Sequence, residues 1–510
     1  MSETAIRALI REAESSGVTL WMENGQLQFK AQGQLSNELR AALRARKAEL
    51  MGELSIPVYR KSASPPAVAR FHECSKDFWE ECKANTTLRH GTHAAVRLTG
   101  TIEPERIEVA FKRLSSRHDL LRSTVSESED GLPILRLTDV PSPLDVLDLS
   151  GSSRVLIDAA IERAIYAPFE NDRIYRARLI KVSELECVLA VVIHHFVADA
   201  VSLSVFLREL LDELRNPTAT PLATRERPLQ YADYVLAKNE WLAGPGLQYR
   251  WSLWKEKMRG AQGVRFPPVE ERRAATTSRL EILDLHVEEA LRTKLARAAL
   301  IARVPFPLAI LAANFAALAR TFQREDFFTV LLHLDRDEPV LFDMVGFTIN
   351  CIPVRVTVSA QRSYKDLMTG VQDAFVFARD YQVPWNMLMH LLEEVGASCV
   401  APLFNYLYAA QETRSTPTSI SRERGGNFAI EPLSVRSPEQ TNSVDWKSYE
   451  LHAFDNGISI QVTIKYMPSA YESVAVEKFA KTFLRCLEEL AEDPQQPVIA
   501  TASPAIAVGN

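Results

Sequence analysis

Residues Val188-Leu189-Ala190-Val191-Val192-Ile193 form an unbroken apolar run, mostly β-branched, which predicts a strand buried on both faces rather than a half-exposed one. The run ends at His194 and His195. From Asp199 onward Val201, Leu203, Val205, Phe206 and Leu210 recur at helical spacing, so the two histidines fall in a strand-to-helix corner beside a helix N-terminus.

Other patterns divide the rest of the chain. Ala5, Ile6, Leu9 and Ile10 share a helical face, with Ser2 and Thr4 available for capping. The segments on either side of Asn24-Gly25 alternate apolar and polar residues, the strongest hairpin signal in the sequence. A second helix is expected from about Ser36, with Leu39, Ala42, Leu43, Leu50 and Leu54 as its stripe and Arg40, Arg44, Arg46 and Lys47 around it. Residues 1–57 therefore read as a compact unit, followed by a Ser/Pro-containing linker over 58–66. That unit is either a semi-independent module or a small cap packed on the main body. Residues 67–240 and 241–498 are mixed α/β, and 499–510 make an Ala/Pro/Ser-rich tail. The most apolar stretch, Pro307 to Leu318, is about a dozen residues where a bilayer crossing needs ~20, so it predicts a buried helix.

Composition changes this picture mainly by exclusion. The 510 residues carry a formal charge of −6, which gives no reason to expect nucleic acid as a partner. Neither a membrane segment nor a signal peptide is evident. Cys74, Cys82, Cys187, Cys351, Cys399 and Cys486 are scattered without a C-x-x-C pair, so neither a disulfide framework nor a zinc site is expected and a reducing cytoplasm fits.

The histidine corner is where chemistry is expected. A lone His at a strand end is usually a hydrogen-bonded core residue. Two together, with Asp199 four positions after His195, suit proton transfer, because the unperturbed imidazole pKa of about 6.5 lies near neutrality. No further His or Cys falls at metal-ligand spacing around the pair.

His194-His195-Phe196-Val197-Ala198-Asp199-Ala200 resembles the HHxxxDG signature of nonribosomal peptide synthetase condensation domains, with Ala200 where the pattern has Gly. Further resemblances follow in the family's order. Arg117-His118-Asp119-Leu120-Leu121-Arg122 is similar to RHExLR, and Tyr231-Ala232-Asp233-Tyr234 to YxDYA. Val345-Gly346-Phe347-Thr348-Ile349-Asn350 is similar to GxFVN, and Arg336 stands ten residues ahead of Gly346. Gln382-Val383-Pro384-Trp385-Asn386 is similar to QDxPFE with Asn386 for Glu, and Pro402-Leu403-Phe404-Asn405 to PLFQ. Only the family's first motif, near Ser75 to Trp79, is hardly recognisable. Residues 1–57 resemble the tubulysin-type β-hairpin docking domains of synthetase subunits.

The resemblance implies an α/β (α+β) fold of two chloramphenicol acetyltransferase-like lobes forming a V with a tunnel between them. It implies that His195 is catalytic, deprotonating or orienting the acceptor, and that His194 is a buried neighbour. It implies that Asp199 points away from His195 into a buried ion pair with Arg336. Ala200, Ser202, Gly346, Asn350 and Trp385 are expected along the substrate tunnel, where the Ala200 methyl would narrow the floor. Leu20, Leu27, Phe29, Arg40, Arg44 and Lys47 are expected to dock a short linear motif at the end of an upstream carrier protein, by addition of a strand to the hairpin edge. The chain would bind no cofactor or metal; its substrate would ride on the phosphopantetheine of the carrier. The sequence shows no adenylation loop and no carrier-type Gly-Gly-x-Ser, so a stand-alone condensation enzyme is expected, one that releases an acyl, peptidyl or polyketide chain as amide or ester. The retained His195 excludes the heterocyclisation subtype; epimerisation domains share the motif. Two rivals remain: an acyltransferase using free coenzyme A thioesters, which would not need residues 1–55, and a non-catalytic domain that recruits carrier proteins.

Overall fold

The computed structural model describes residues 5–23, 25–64, 66–84, 91–100, 103–138, 144–169, 172–215, 225–266, 281–359, 362–397, 401–408, 423–425, 428–433, 435, 447–468 and 471–498. Ser2, Thr4, Asn24, Pro65, Cys399 and the tail from 499 lie outside the described residues.

The N-terminal unit contains the helix Ala5–Ser15, the antiparallel hairpin Val18–Glu23 with Gln26–Ala31, and the helices Asn37–Ala45 and Lys47–Leu54. Gly25 supplies the positive φ of 73° that the hairpin turn requires. Ile6, Leu9, Ala13, Val18, Leu39 and Leu50 form a small core. The single helix expected after Ser36 is two helices. Ser36 caps the first, its hydroxyl accepting from the Leu39 N–H at 3.1 Å, but Arg46 leaves helical geometry with φ −107° and ψ 23°. A new helix starts there, and it packs against the helix Pro245–Met258 of the main body.

That packing is close. A Cβ on Gly52 would lie 2.2 Å from the Cβ of Tyr249, so only glycine lets the two helices meet. The Ser55 carbonyl accepts from Trp241 Nε1 at 3.0 Å and Arg250 Nη1 at 3.1 Å. Arg7 bridges Glu53 at 2.6 Å and Asp380 at 2.7 Å and lies over the Tyr381 ring. The chain that follows is strapped down as well: Tyr59 stacks on Tyr234, and the Ser62 hydroxyl donates to Asp233 at 2.6 Å.

The main body is built on two six-stranded sheets. The first has the order Glu423–Gly425, Phe428–Pro432, Thr92–Gly100, Glu186–Ile193, Tyr175–Ser183, Leu144–Asp148, antiparallel except for its last pair. Glu186–Ile193 is central, and every residue from Val188 to Ile193 is buried. The second has the order Glu281–Val287, Ile460–Tyr466, Lys447–Asp455, Ala401–Tyr408, Asp326–Leu334, Ile349–Thr357. Each sheet carries its own core, that of the second packed by the helices Phe306–Phe322 and Ser473–Glu492. Residues 308–319 of the first of these helices are all buried, and no single helix among the described residues is long and apolar enough to cross a membrane.

The second half of the chain does not stay apart from the first at residue 240. Strands 423–425 and 428–432 come late in sequence but join the first sheet, with Phe428 opposite Gly100 and Pro432 opposite Val96. Such long-range pairing leaves no local trace.

Replacing Gly52 by Leu overpacks the Tyr249 contact, which costs about 1–3 kcal/mol where neighbours cannot yield. The expected outcome is faster tryptic cleavage after Arg60 or Lys61 with little movement of the main thermal transition; an unchanged cleavage rate would show that this contact does not seat the N-terminal unit.

Candidate active site

The central strand delivers its last residue, Ile193, into a corner over 194–199 before the helix Ala200–Arg215 begins. The His194 N–H donates to Ile174 O at 2.7 Å, so the corner starts on the sheet's own hydrogen-bond pattern. His194 itself is buried between the rings of Trp79 and Phe169, with centroids at 5.7 and 5.3 Å. Its Nδ1 accepts from the Phe196 N–H at 3.2 Å, which puts its proton on Nε2. Burial, helped by the adjacent His195, lowers its pKa to about 4, so it is neutral at physiological pH.

His195 is held differently. Its Nδ1 lies 3.1 Å from Ala198 O and 3.0 Å from Thr92 Oγ1. A carbonyl oxygen only accepts, so Nδ1 carries the hydrogen and Nε2 keeps the basic lone pair. Phe347 and Phe78 meet the ring edge-on at 5.6 and 6.2 Å, confining its rotation. The ring lines a cavity of about 390 Å³ between the two halves, with Phe78 on one side and Asn350, Trp385 and Leu403 on the other.

Asp199 turns away from that cavity and is fully buried. Its Oδ1 accepts from the Ser202 N–H at 2.8 Å and its Oδ2 from the Thr348 N–H at 3.1 Å and hydroxyl at 3.0 Å. Arg336 Nη2 pairs with it at 3.2 Å, while Arg336 Nη1 donates to Leu341 O and Met344 O at 2.8 and 2.7 Å. The buried charges are thus paired and hydrogen-bonded on most sides, as burial demands.

Ser202 and Gly346, expected on the tunnel wall, lie inside this network and bound no part of the cavity. Ser202 Oγ accepts from the Gly346 N–H at 3.0 Å, and a Cβ on Gly346 would sit 2.3 Å from the Tyr231 ring. Both residues therefore serve the close approach of the two halves. Ala200 is also absent from the wall, because it already belongs to the helix, so its methyl does not narrow the cavity.

Asn350 and Trp385 do line the cavity. Asn350 Oδ1 accepts from the Trp385 N–H at 3.0 Å, and its Nδ2 donates to Val383 O at 2.9 Å, so the asparagine fixes the loop that forms one wall. Sequence patterns do not single out Thr92, Phe78 and Phe347 as parts of the site. Phe347 sits in the GxFVN-like stretch and Phe78 in the poorly matching first motif; Thr92 carries no signal beyond its place at the end of the neighbouring strand. Asn386, the substitution for Glu, donates to Cys74 O at 3.1 Å and pins one half of the molecule to the other.

In the N-terminal unit, Arg40, Arg44 and Lys47 are exposed and Phe29 is 63% exposed. Leu20 and Leu27 are turned inward instead, against the unit's own core, so they do not offer an outer docking face. Phe29 shares the face of Leu20, its partner across the hairpin, whereas Trp21, at 38% exposure, projects from the opposite face across from Gln28. Among the described residues no cluster of three or more His, Cys, Asp or Glu could hold a metal, and the cysteines are free.

Comparison with known proteins assigns this architecture. Residues 85–504 match the model of the condensation domain. The chain belongs to the condensation-domain family. Residues 6–55 of this condensation-domain protein match the TubC N-terminal docking domain. Its relatives include one of the linear gramicidin synthase proteins of Brevibacillus parabrevis, 27% identical over 414 residues, covering 79% of the chain and 8% of that synthase protein. Another is a probable non-canonical nonribosomal peptide synthetase, CymA, of Salinispora arenicola, 28% identical over 79% of the chain and 5% of that protein. The chain thus spans less than a tenth of either relative. Among solved structures, the cyclization-docking bidomain of EpoB from Sorangium cellulosum aligns over 96% of the chain and 99% of its own, with 17% identity and a TM-score of 0.66. The X-domain from teicoplanin biosynthesis aligns over 86% and 98%, with 21% identity and a TM-score of 0.69. These structures establish the chloramphenicol acetyltransferase-like fold.

The corner can be tested at both of its ends. Asp199→Ala removes one partner of a buried pair, at a cost of ~3–5 kcal/mol, and chemical denaturation should show it unfolding well before wild type. A variant that is fully stable yet inactive would overturn the structural role. The second test uses acid. The His194 pKa is lowered on folding, so the unfolded chain takes up its proton first; stability is fully present above about 6.5 and falls as the pH drops toward 4, by about 3 kcal/mol in all. His194→Asn, which keeps an acceptor for the Phe196 N–H but cannot titrate, should lose less stability between pH 7 and 4.5 than wild type in urea titrations.

Proposed function

We propose that this condensation domain transfers an acyl, peptidyl or polyketide chain, held as a phosphopantetheine thioester on a partner carrier protein, to an amine or hydroxyl acceptor, releasing the chain as an amide or ester. The observation that carries this reading is the His195 ring: tautomer set by Ala198 O and Thr92, basic nitrogen at Nε2, and a place on the wall of a cavity between the halves. As the acceptor attacks the thioester carbonyl, Nε2 takes its proton. The tetrahedral intermediate then collapses, the carbon–sulfur bond breaks, and the imidazolium returns a proton to the leaving thiolate. Ala198 O and the Thr92 hydroxyl, both on Nδ1–H, favour the imidazolium that forms in between. General base catalysis of this kind is worth roughly 10²–10⁴-fold.

The hairpin supports the carrier-protein side of the reading. Its two strands pair only with each other among the described residues, so a free edge is available for an added strand. The exposed Phe29 and the basic Arg40, Arg44 and Lys47 suit an acidic linear motif with an apolar anchor. The free cysteines accord with action in the cytoplasm. A recruiting role has its own support, since the teicoplanin X-domain, which shares this fold, was solved in complex with OxyB. The built catalytic geometry of His195 favours transfer.

Intact-mass spectrometry of an acylated carrier protein bearing the upstream terminal motif, offered panels of amines and alcohols, tests the proposal. Transfer should fall at least 100-fold in His195→Ala and weaken on deletion of residues 1–57. Transfer indifferent to the deletion would favour a free-thioester acyltransferase, and carrier binding without transfer to any acceptor would favour recruitment.

A further inference from the structure

The floor of the cavity is the second sheet, and its two ends differ. Residues of four successive strands face the cavity: Cys351, then Leu332, then Leu403, then Glu450 and His452. Three inter-strand steps of ~4.8 Å separate the first strand from the last, about 14 Å in all. The first end adjoins the N-terminal unit. There Asn350 bonds Gln382, Gln382 bonds Asp335, Asp335 pairs with Lys238, and neighbouring Trp241 reaches Ser55 at the end of that unit.

At the far end stands a polar group that the transfer step does not use. His452 Nδ1 lies 3.2 Å from Asn405 Nδ2, a donor, so Nδ1 accepts and the ring proton is on Nε2. That Nε2–H donates to Glu450 Oε2 at 2.9 Å. Both imidazole nitrogens are thereby engaged, which makes His452 a holder and not a proton carrier. The consequence is a Glu450 side chain fixed in orientation, 14% exposed, at the edge of an apolar floor formed by Leu332 and Leu403. Glu81 and Asp335 are the other acidic residues on the wall, and Asp335 is paired with Lys238.

We infer that Glu450, oriented by His452 and Asn405, is the recognition residue for the acceptor substrate, binding an ammonium or hydroxyl group of that molecule remote from its reacting atom. The inference rests on the transfer reading for the word acceptor: the donor chain arrives from the end where the N-terminal unit sits, which leaves the far end to the second substrate. The polar site itself stands on the geometry alone.

Ligand-observed NMR titration of the whole chain with n-hexylamine, 1-hexanol and hexanoate tests it, since the three share a chain and differ in the head group. Hexylammonium or hexanol should bind wild type at least tenfold more tightly than hexanoate, and the tighter of the two identifies which donor the site takes. Glu450→Gln, nearly isosteric and checked by its unfolding curve, should weaken the preferred ligand about tenfold, while His195→Ala should leave that binding intact. Equal binding of all three, no binding of any, or binding unchanged in Glu450→Gln would overturn the inference. In transfer assays with 1,6-diaminohexane as acceptor, one amine to react and the other to meet Glu450, Glu450→Gln should raise KM with kcat largely kept. Loss of transfer in wild type with head-group selectivity intact would sink the transfer reading and leave the binding site standing.

Discussion

The geometry of the active site depends on one buried ion pair. Asp199 comes from the first half of the chain and Arg336 from the second, and the pair is closed by Ser202, Gly346 and Thr348. Taking two charges out of water is costly, and the cost is offset only if each finds several partners in good geometry. Here those partners can be assembled only when the halves meet. The pair therefore does two things at once: it registers the two lobes against each other, and it anchors the end of the six-residue corner whose second residue is His195.

That anchoring removes an option and creates another. A carboxylate four residues from a histidine could orient it, but Asp199 is consumed by the lobe contact. Orientation passes to neutral acceptors, the Ala198 carbonyl and the Thr92 hydroxyl. Neutral acceptors steady an imidazolium less than a carboxylate would, and so raise the basicity of Nε2 less. Such a histidine suits an acyl transfer in which the thioester is already reactive and the acceptor needs its proton removed only as the bond forms. The adjacent His194, kept neutral by burial, adds no charge to oppose that proton.

Much of this is legible in the sequence wherever a pattern is local. The buried strand to Ile193, the hairpin about Gly25 and the helix over the Pro307–Leu318 stretch follow from periodicity and turn chemistry, and the structure forms all three. What periodicity does not encode is direction in three dimensions. Ser202 and Gly346 lie in the right motifs but face the lobe contact, not the cavity, because the Tyr231 ring fills the space beside Gly346. Leu20 and Leu27 face inward for the same kind of reason: a unit of some 50 residues has little apolar surface to spare from its own core. Thr92 and the strand Phe428–Pro432 are further cases, being brought to their places only by pairing between distant segments. The contact of Gly52 with Tyr249, made by the helix that follows the break at Arg46, is another feature that no window of sequence contains.

The seat of the N-terminal unit bears on the chemistry as well as on the fold. Glu53 accepts from the Tyr381 hydroxyl at 3.0 Å, and Arg7 joins Glu53 to Asp380. The next residues, Gln382 to Trp385, are the cavity wall that Asn350 fixes. One short segment, 380–385, thus has its first two residues held by the N-terminal unit and the remainder by the site. A rigid seat of this kind sets the distance between the hairpin edge and His195, and a tethered thioester on a flexible arm gains most when that distance is fixed, because the effective concentration of a linked group falls once the span and the linker no longer match. On the proposed transfer reading, the close packing at Gly52 belongs to the catalytic architecture, for it would convert a protein–protein docking event into a defined approach of the thioester to the imidazole.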